Sequence, residues 1–209
     1  RFRHLLKTDP KLAVAKIYAE PGYDAPYPSP KLCGKLTIGV DEGFLPLSAT
    51  IHSQSQRLRL YDATVECEYE ISTRAVIAET FVSAHENVLA AQISNTWVHD
   101  RFKSADRQLI SLEREIDETL GIPEFGATKG VLYVRYAFPD GFEYVMAASV
   151  DGLPMAEPLV QPERVSTSVE LGDLELGPVY TVYLTVVTSM DAADPLAKAK
   201  ENLNRAVDA

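Results

Sequence analysis

Between Thr73 and Leu120 the chain runs without a proline or a glycine, and this stretch constrains the fold more than any other feature of its 209 residues. It follows a Ser/Thr cap and is rich in Ala, Leu, Glu and Arg, all of which suit a helix. Placed at about 100° per residue, Val82, Leu89, Ile93 and Trp97 share one side, whereas Val98, Phe102, Leu109, Leu112, Ile116 and Leu120 share another. The spacing predicts a long central helical segment over about 73–120, kinked or broken near 94–96, where the apolar stripe rotates. In such a helix Trp97 is a packing anchor. His99 and Asp100, adjacent in "NTWVHDRF", point about 100° apart and form no reactive pair.

On either side of this segment the period falls from between three and four to two. In "ATVECEYEI", Ala63, Val65, Cys67, Tyr69 and Ile71 alternate with Thr64, Glu66, Glu68 and Glu70, which reads as a strand with one buried and one acidic face. "KLTIGV" reads as a strand before it. Downstream, "VLYVRYAF" and "FEYVMAASV" flank "PDG", a hairpin signal, and "VSTSVEL" and "VYTVYLTVVT" add further strands. "DPLAKAKENLNRAVDA" starts with Asp-Pro and predicts a short C-terminal helix. The expected fold is α+β: two groups of mostly antiparallel strands, about 32–71 and 131–188, packed on the central helix, with the short helix at the end.

Charge divides the chain. Residues 1–40 carry seven basic against three acidic residues, or +4, while the remaining 169 carry thirteen against twenty-seven, or −14. Within the first part, "TDPKLAVAKIYAE" suits a short helix over about 10–19, and "PGYDAPYPSPK" is too rich in proline for a helix or an inner strand. The domain reading is therefore a basic, Pro- and Tyr-containing arm, residues 1–31, ahead of a single α+β domain, residues 32–209. Phe2, Leu5, Leu6, Tyr23 and Tyr27 are the arm's candidate interaction residues.

Several chemistries lack their usual motifs. There is no Gly-rich phosphate loop, no HExxH, no CxxC, no Asp-rich calcium loop and no GxSxG elbow. The histidines His4, His52, His85 and His99 are scattered, so neither a metal nor a cofactor is expected. Cys33 and Cys67 read as two buried thiols, with a single disulfide between them as the alternative. An acidic body disfavours nucleic acid, and no apolar run approaches the roughly 18 residues that span a bilayer. "RFRHLLK" lacks the apolar stretch of a secretion signal. "YVMAASVDGLPMAE" is similar to the strand–turn–strand of roadblock-type domains, but "PLVQPERVSTSVELG" is strand-like where that family has a helix, so no family is assigned.

These features lead to a non-enzymatic assembly or binding module, acting as a homo-oligomer or as a subunit of a larger particle, with protein as its partner. The alternative is a small α+β enzyme or small-molecule-binding protein with a cavity between sheet and helix. That cavity would use His85 or His99 with tyrosines such as Tyr69, Tyr133 or Tyr144.

Overall fold

In the computed structural model most of the described residues of the segment expected to be a long helix form strands. Described are residues 33–40, 51–71, 74–83, 85–97, 107–114, 122–139, 141–172 and 177–208. All lie in the unit Cys33–Ala209, one of the two into which the chain divides; the other is Arg1–Leu32. Twelve strands are described: β1 (Lys35–Val40), β2 (Ile51–Arg59), β3 (Thr64–Ile71), β4 (Arg74–Val82), β5 (Val88–Trp97), β6 (Arg107–Glu113), β7 (Glu124–Thr128), β8 (Val131–Ala137), β9 (Glu143–Asp151), β10 (Leu159–Gln161), β11 (Arg164–Glu170) and β12 (Val179–Thr188). One helix, α1 (Pro195–Asp208), follows them.

The α+β expectation, with strand groups at 32–71 and 131–188 packed on a helix at 73–120, is thereby overturned. β4, β5 and β6 occupy most of that interval, and all pairings are antiparallel in two sheets: β1-β6-β11-β10 and β2-β3-β4-β5-β12-β9-β8-β7. The physical reason lies in β4 and β5. Val76, Ala78, Thr80 and Val82 register with Asn95, Ile93, Ala91 and Leu89, while Ile77, Glu79 and Phe81 register with Ser94, Gln92 and Ala90 on the opposite face. A period of two was present beneath the helical one. The turn that separates the strands uses neither Gly nor Pro: Asn87 takes φ 51°, a left-handed conformation that Asn tolerates better than most residues. Its amide donates to the Val186 carbonyl at 2.9 Å, and its own carbonyl accepts from the Thr185 hydroxyl at 2.8 Å.

Other sequence signals do form the expected elements. Tyr69 of β3 packs toward the core and Val65 lies on the same side, with the glutamates opposite. The "PDG" stretch lies between β8 and β9, and the Phe138 N–H donates to the Phe142 carbonyl at 2.7 Å across it. Asp194 caps α1, its carboxylate accepting from the Ala197 N–H at 3.0 Å. Pro195, Ala199, Asn202 and Leu203 form the buried side of that helix.

The core lies between the sheets. Ile110, Leu112, Val165 and Val169 of the small sheet meet Ile93, Leu132, Val134, Met146 and Val182 of the large one. Full burial of each such side chain is worth about 1.5–3 kcal/mol. A polar bridge crosses this core: the Asn95 amide donates to Gln108 Oε1 at 3.5 Å, joining β5 to β6. On the outer face of the large sheet α1 covers β9 and β12, where Ala199 and Leu203 pack on Val131, Val145, Ala147 and Val187. The helix packs on β9, β12 and the near part of β5, and on the same outer face Ile77 and Phe81 of β4 remain exposed.

Candidate functional site

The C-terminal end of α1 and the open sheet bound a cleft of about 490 Å³. β4 supplies Glu79 and Phe81, β5 supplies Val88, Ala90 and Gln92, β12 supplies Thr181 and Tyr183, and the helix supplies Ala206. Period-two alternation accounts for the selection, because every second residue of these strands must point outward. Arg59 is fixed at one end between two carboxylates, 3.4 Å from Asp62 and 3.3 Å from Glu79. At the other end the Ser83 hydroxyl accepts from the backbone N–H groups of His85 and Glu86 at 3.4 and 3.3 Å. The same turn presents Glu86 to Arg205 of the helix at 2.7 Å.

The cleft offers both an apolar surface and free polar groups. Phe81 is 46% exposed. Gln92 is exposed and Tyr183 half-buried, and no hydrogen bond of either side chain is described. The register sets Glu79, Gln92 and Thr181 of the cleft in one row that continues beyond it across six strands: Arg57, Glu66, Glu79, Gln92, Thr181 and Asp151 occupy successive partner positions. Phe81, Ala90 and Tyr183 form the neighbouring row on one side, and Ile77, Ser94 and Val179 the row on the other.

A second cleft, lined by Glu113, Arg114 and residues 161–164, is committed to internal contacts. The Arg114 guanidinium lies 4.3 Å from the Tyr136 ring centroid and 5.5 Å from that of Tyr144. Both Nε and Nη2 of Arg164 donate to Gln161 Oε1, at 3.0 and 2.8 Å. Tyr144 donates to the Cys33 carbonyl at 2.9 Å, and burial pushes its phenol well above the ordinary range. Burial also raises the Cys33 thiol, with Arg114 partly opposing the shift. Both cysteines are half-buried. Among the described residues no group of three His, Cys, Asp or Glu side chains is arranged to hold a metal, and no helix is long and apolar enough to cross a membrane.

Phe2, Leu5, Leu6, Tyr23, Tyr27 and His99 lie outside the described residues, as does the helix expected at 10–19. His85 is exposed in the β4–β5 turn rather than inside a helix. Tyr133 is on the outer face, donating to Glu124 at 3.2 Å, whereas Tyr69 and Tyr144 face inward from β3 and β9. The topology does not bring these three together with His85. Phe81, Gln92 and Tyr183 were missed. The signal that could have found Phe81 and Gln92 is the alternation in "VIAETFV" and "VLAAQIS", which the helical period obscured.

No family model matches the chain, and no curated protein matches its sequence. Its fold is similar to that of a solved structure titled "Putative kojibiose phosphorylase from human microbiome", with a TM-score of 0.68 and 12% identity over 84% of this chain and 25% of the other. A bacterial glucoamylase complexed with acarbose gives a TM-score of 0.48 and 8% identity over 82% of this chain and 28% of the other. The chain thus spans about a quarter of the length of either protein.

Proposed function

We propose that this chain is a non-enzymatic binding module whose cleft between α1 and the large sheet takes a small polar ligand. The observation that carries the reading is the cleft itself. Its volume, about 490 Å³, lies in the range of small-molecule sites, and an exposed aromatic ring stands beside polar groups with no described partner. The similarity to a portion of a protein titled as a phosphorylase supports placing the module within a longer, carbohydrate-active protein. Titration of the labelled chain with a mixed library of small polar compounds, followed by amide NMR, tests the reading. Shifts should cluster on β4, β5 and β12 at the cleft. Shifts confined to other surfaces, or none with any compound, would refute it.

Assembly is the second reading, and a separate observation favours it. Leu58 and Val82 register with inward-facing positions, yet are 59% and 63% exposed. The large sheet therefore carries apolar side chains on its inner face that the small sheet does not cover. A homo-oligomer, or a neighbouring part of a larger particle, would bury them. Light scattering of the wild type and of Leu58→Glu/Val82→Glu tests this: a larger mass for the wild type alone is expected, and equal monomer masses would reject self-association.

A further inference from the structure

We infer that the ligand of the cleft is a neutral oligosaccharide, lying across the strands along the row from Arg57 to Asp151. The inference rests on the cleft reading above and goes on to name the ligand's chemistry and direction. Adjacent strands are about 4.8 Å apart, so the row of six positions extends over roughly 24 Å. That spacing is close to the length of one pyranose ring, which places a fresh polar side chain beneath each successive sugar.

The pattern on the sheet matches the two kinds of surface a pyranose presents. Its hydroxyl-bearing edge needs paired donors and acceptors, and Glu79, Gln92 and Thr181 stand side by side in the middle of the row. Its C–H face needs a flat apolar surface. Phe81 and Tyr183 supply one, on either side of Ala90, whose own side chain is buried among its neighbours. Ile77 and Val179, 41% and 47% exposed, supply a second apolar rail on the opposite side. A polar lane between two apolar rails is poorly suited to a peptide strand, which binds through an open sheet edge. The lane lies on a face.

Charge selects against anionic polymers. Glu66, Glu79 and Asp151 are in the row, and the cation nearest its centre, Arg59, is already held by Asp62 and Glu79. Neither a polyuronate nor a nucleic acid gains a free cation at the centre. A neutral sugar hydroxyl, by contrast, donates well to a carboxylate.

The test is NMR titration of the whole chain with short neutral gluco-oligosaccharides of increasing length, and with a uronic-acid oligosaccharide of matched length. Affinity for the neutral series should increase with length, with shifts spreading from Gln92 toward Glu66 and Asp151. Phe81→Ala and Gln92→Ala, both at exposed positions, should each weaken binding about tenfold, as loss of a central contact does. Circular dichroism of each variant checks that its fold is intact. Equal or tighter binding of the uronate overturns the inference. If no neutral sugar shifts the lane while another small compound does, the ligand class is wrong and the cleft reading survives. If nothing shifts the cleft, both fall.

Discussion

Arg205, in the last turn of α1, reaches Glu86 in the β4–β5 turn at 2.7 Å. This contact ties the last turn of the helix to the rim of the cleft. Half of the arginine side chain is exposed, so the pair adds little global stability. Arg205→Ala is expected to cost less than about 1 kcal/mol in a denaturant melt. Hydrogen exchange should nevertheless accelerate in residues 203–208. Unchanged exchange there would show that packing alone holds the helix end.

Packing holds the middle of the helix. Leu203 is fully buried against the outer face of the sheet, whereas Val207 is 39% exposed. Leu203→Ala should cost about 2–5 kcal/mol, and Val207→Ala less than about 0.5 kcal/mol. Chemical denaturation of the two variants separates them, and similar losses would contradict the helix orientation.

The Asn95–Gln108 bridge joins the two sheets inside an apolar core. Replacing one partner leaves the other amide with a polar group to satisfy. Asn95→Leu or Gln108→Leu should each cost about 1–3 kcal/mol. The double substitution should cost less than the two losses added together, by at least about 0.5 kcal/mol. An additive cycle would mean that the amides act independently.

Asp191 accepts from the Thr188 hydroxyl at 2.7 Å and from the Thr188 N–H at 2.8 Å. These bonds, the hydroxyl first, hold its carboxyl below the ordinary value of 3.8. A carboxyl lowered on folding contributes stability above its unfolded value, and that contribution fades as the pH falls through the lowered folded value. Thr188→Val removes the leading donor and should raise the Asp191 midpoint toward 3.8 in an NMR pH titration. An unmoved midpoint would assign the effect to the backbone alone.

How much of this was legible in the sequence depended on whether the signal was local. The β3 alternation, the "PDG" hairpin and the Asp-Pro start of α1 are each complete within a few residues, and each forms the expected element. β4 and β5 are different. Ala and Glu are tolerated in both helix and strand, so the absence of Gly and Pro allowed a helical period to fit. The choice is made by tertiary context: Thr185 and Val186 of β12 hold the turn at Asn87. A partner so distant in sequence is invisible to any window. The cleft depended on those strands, and its rows of residues could not be aligned before the register of β5 with β12 was known.

That pairing also decides the order in which the chain can become a folded protein. β2, β3, β4 and β5 follow one another as a meander, but the far edge of β5 is completed only by β12, with Leu89 opposite Leu184. During synthesis the meander therefore emerges with one long edge still unsatisfied, and such an edge invites pairing with other chains. Contacts so remote in sequence also slow the search for the native state. β12, the last of the described strands, is the one that seals the sheet, and nascent chains stopped before Val179 would be the species most prone to stick to one another.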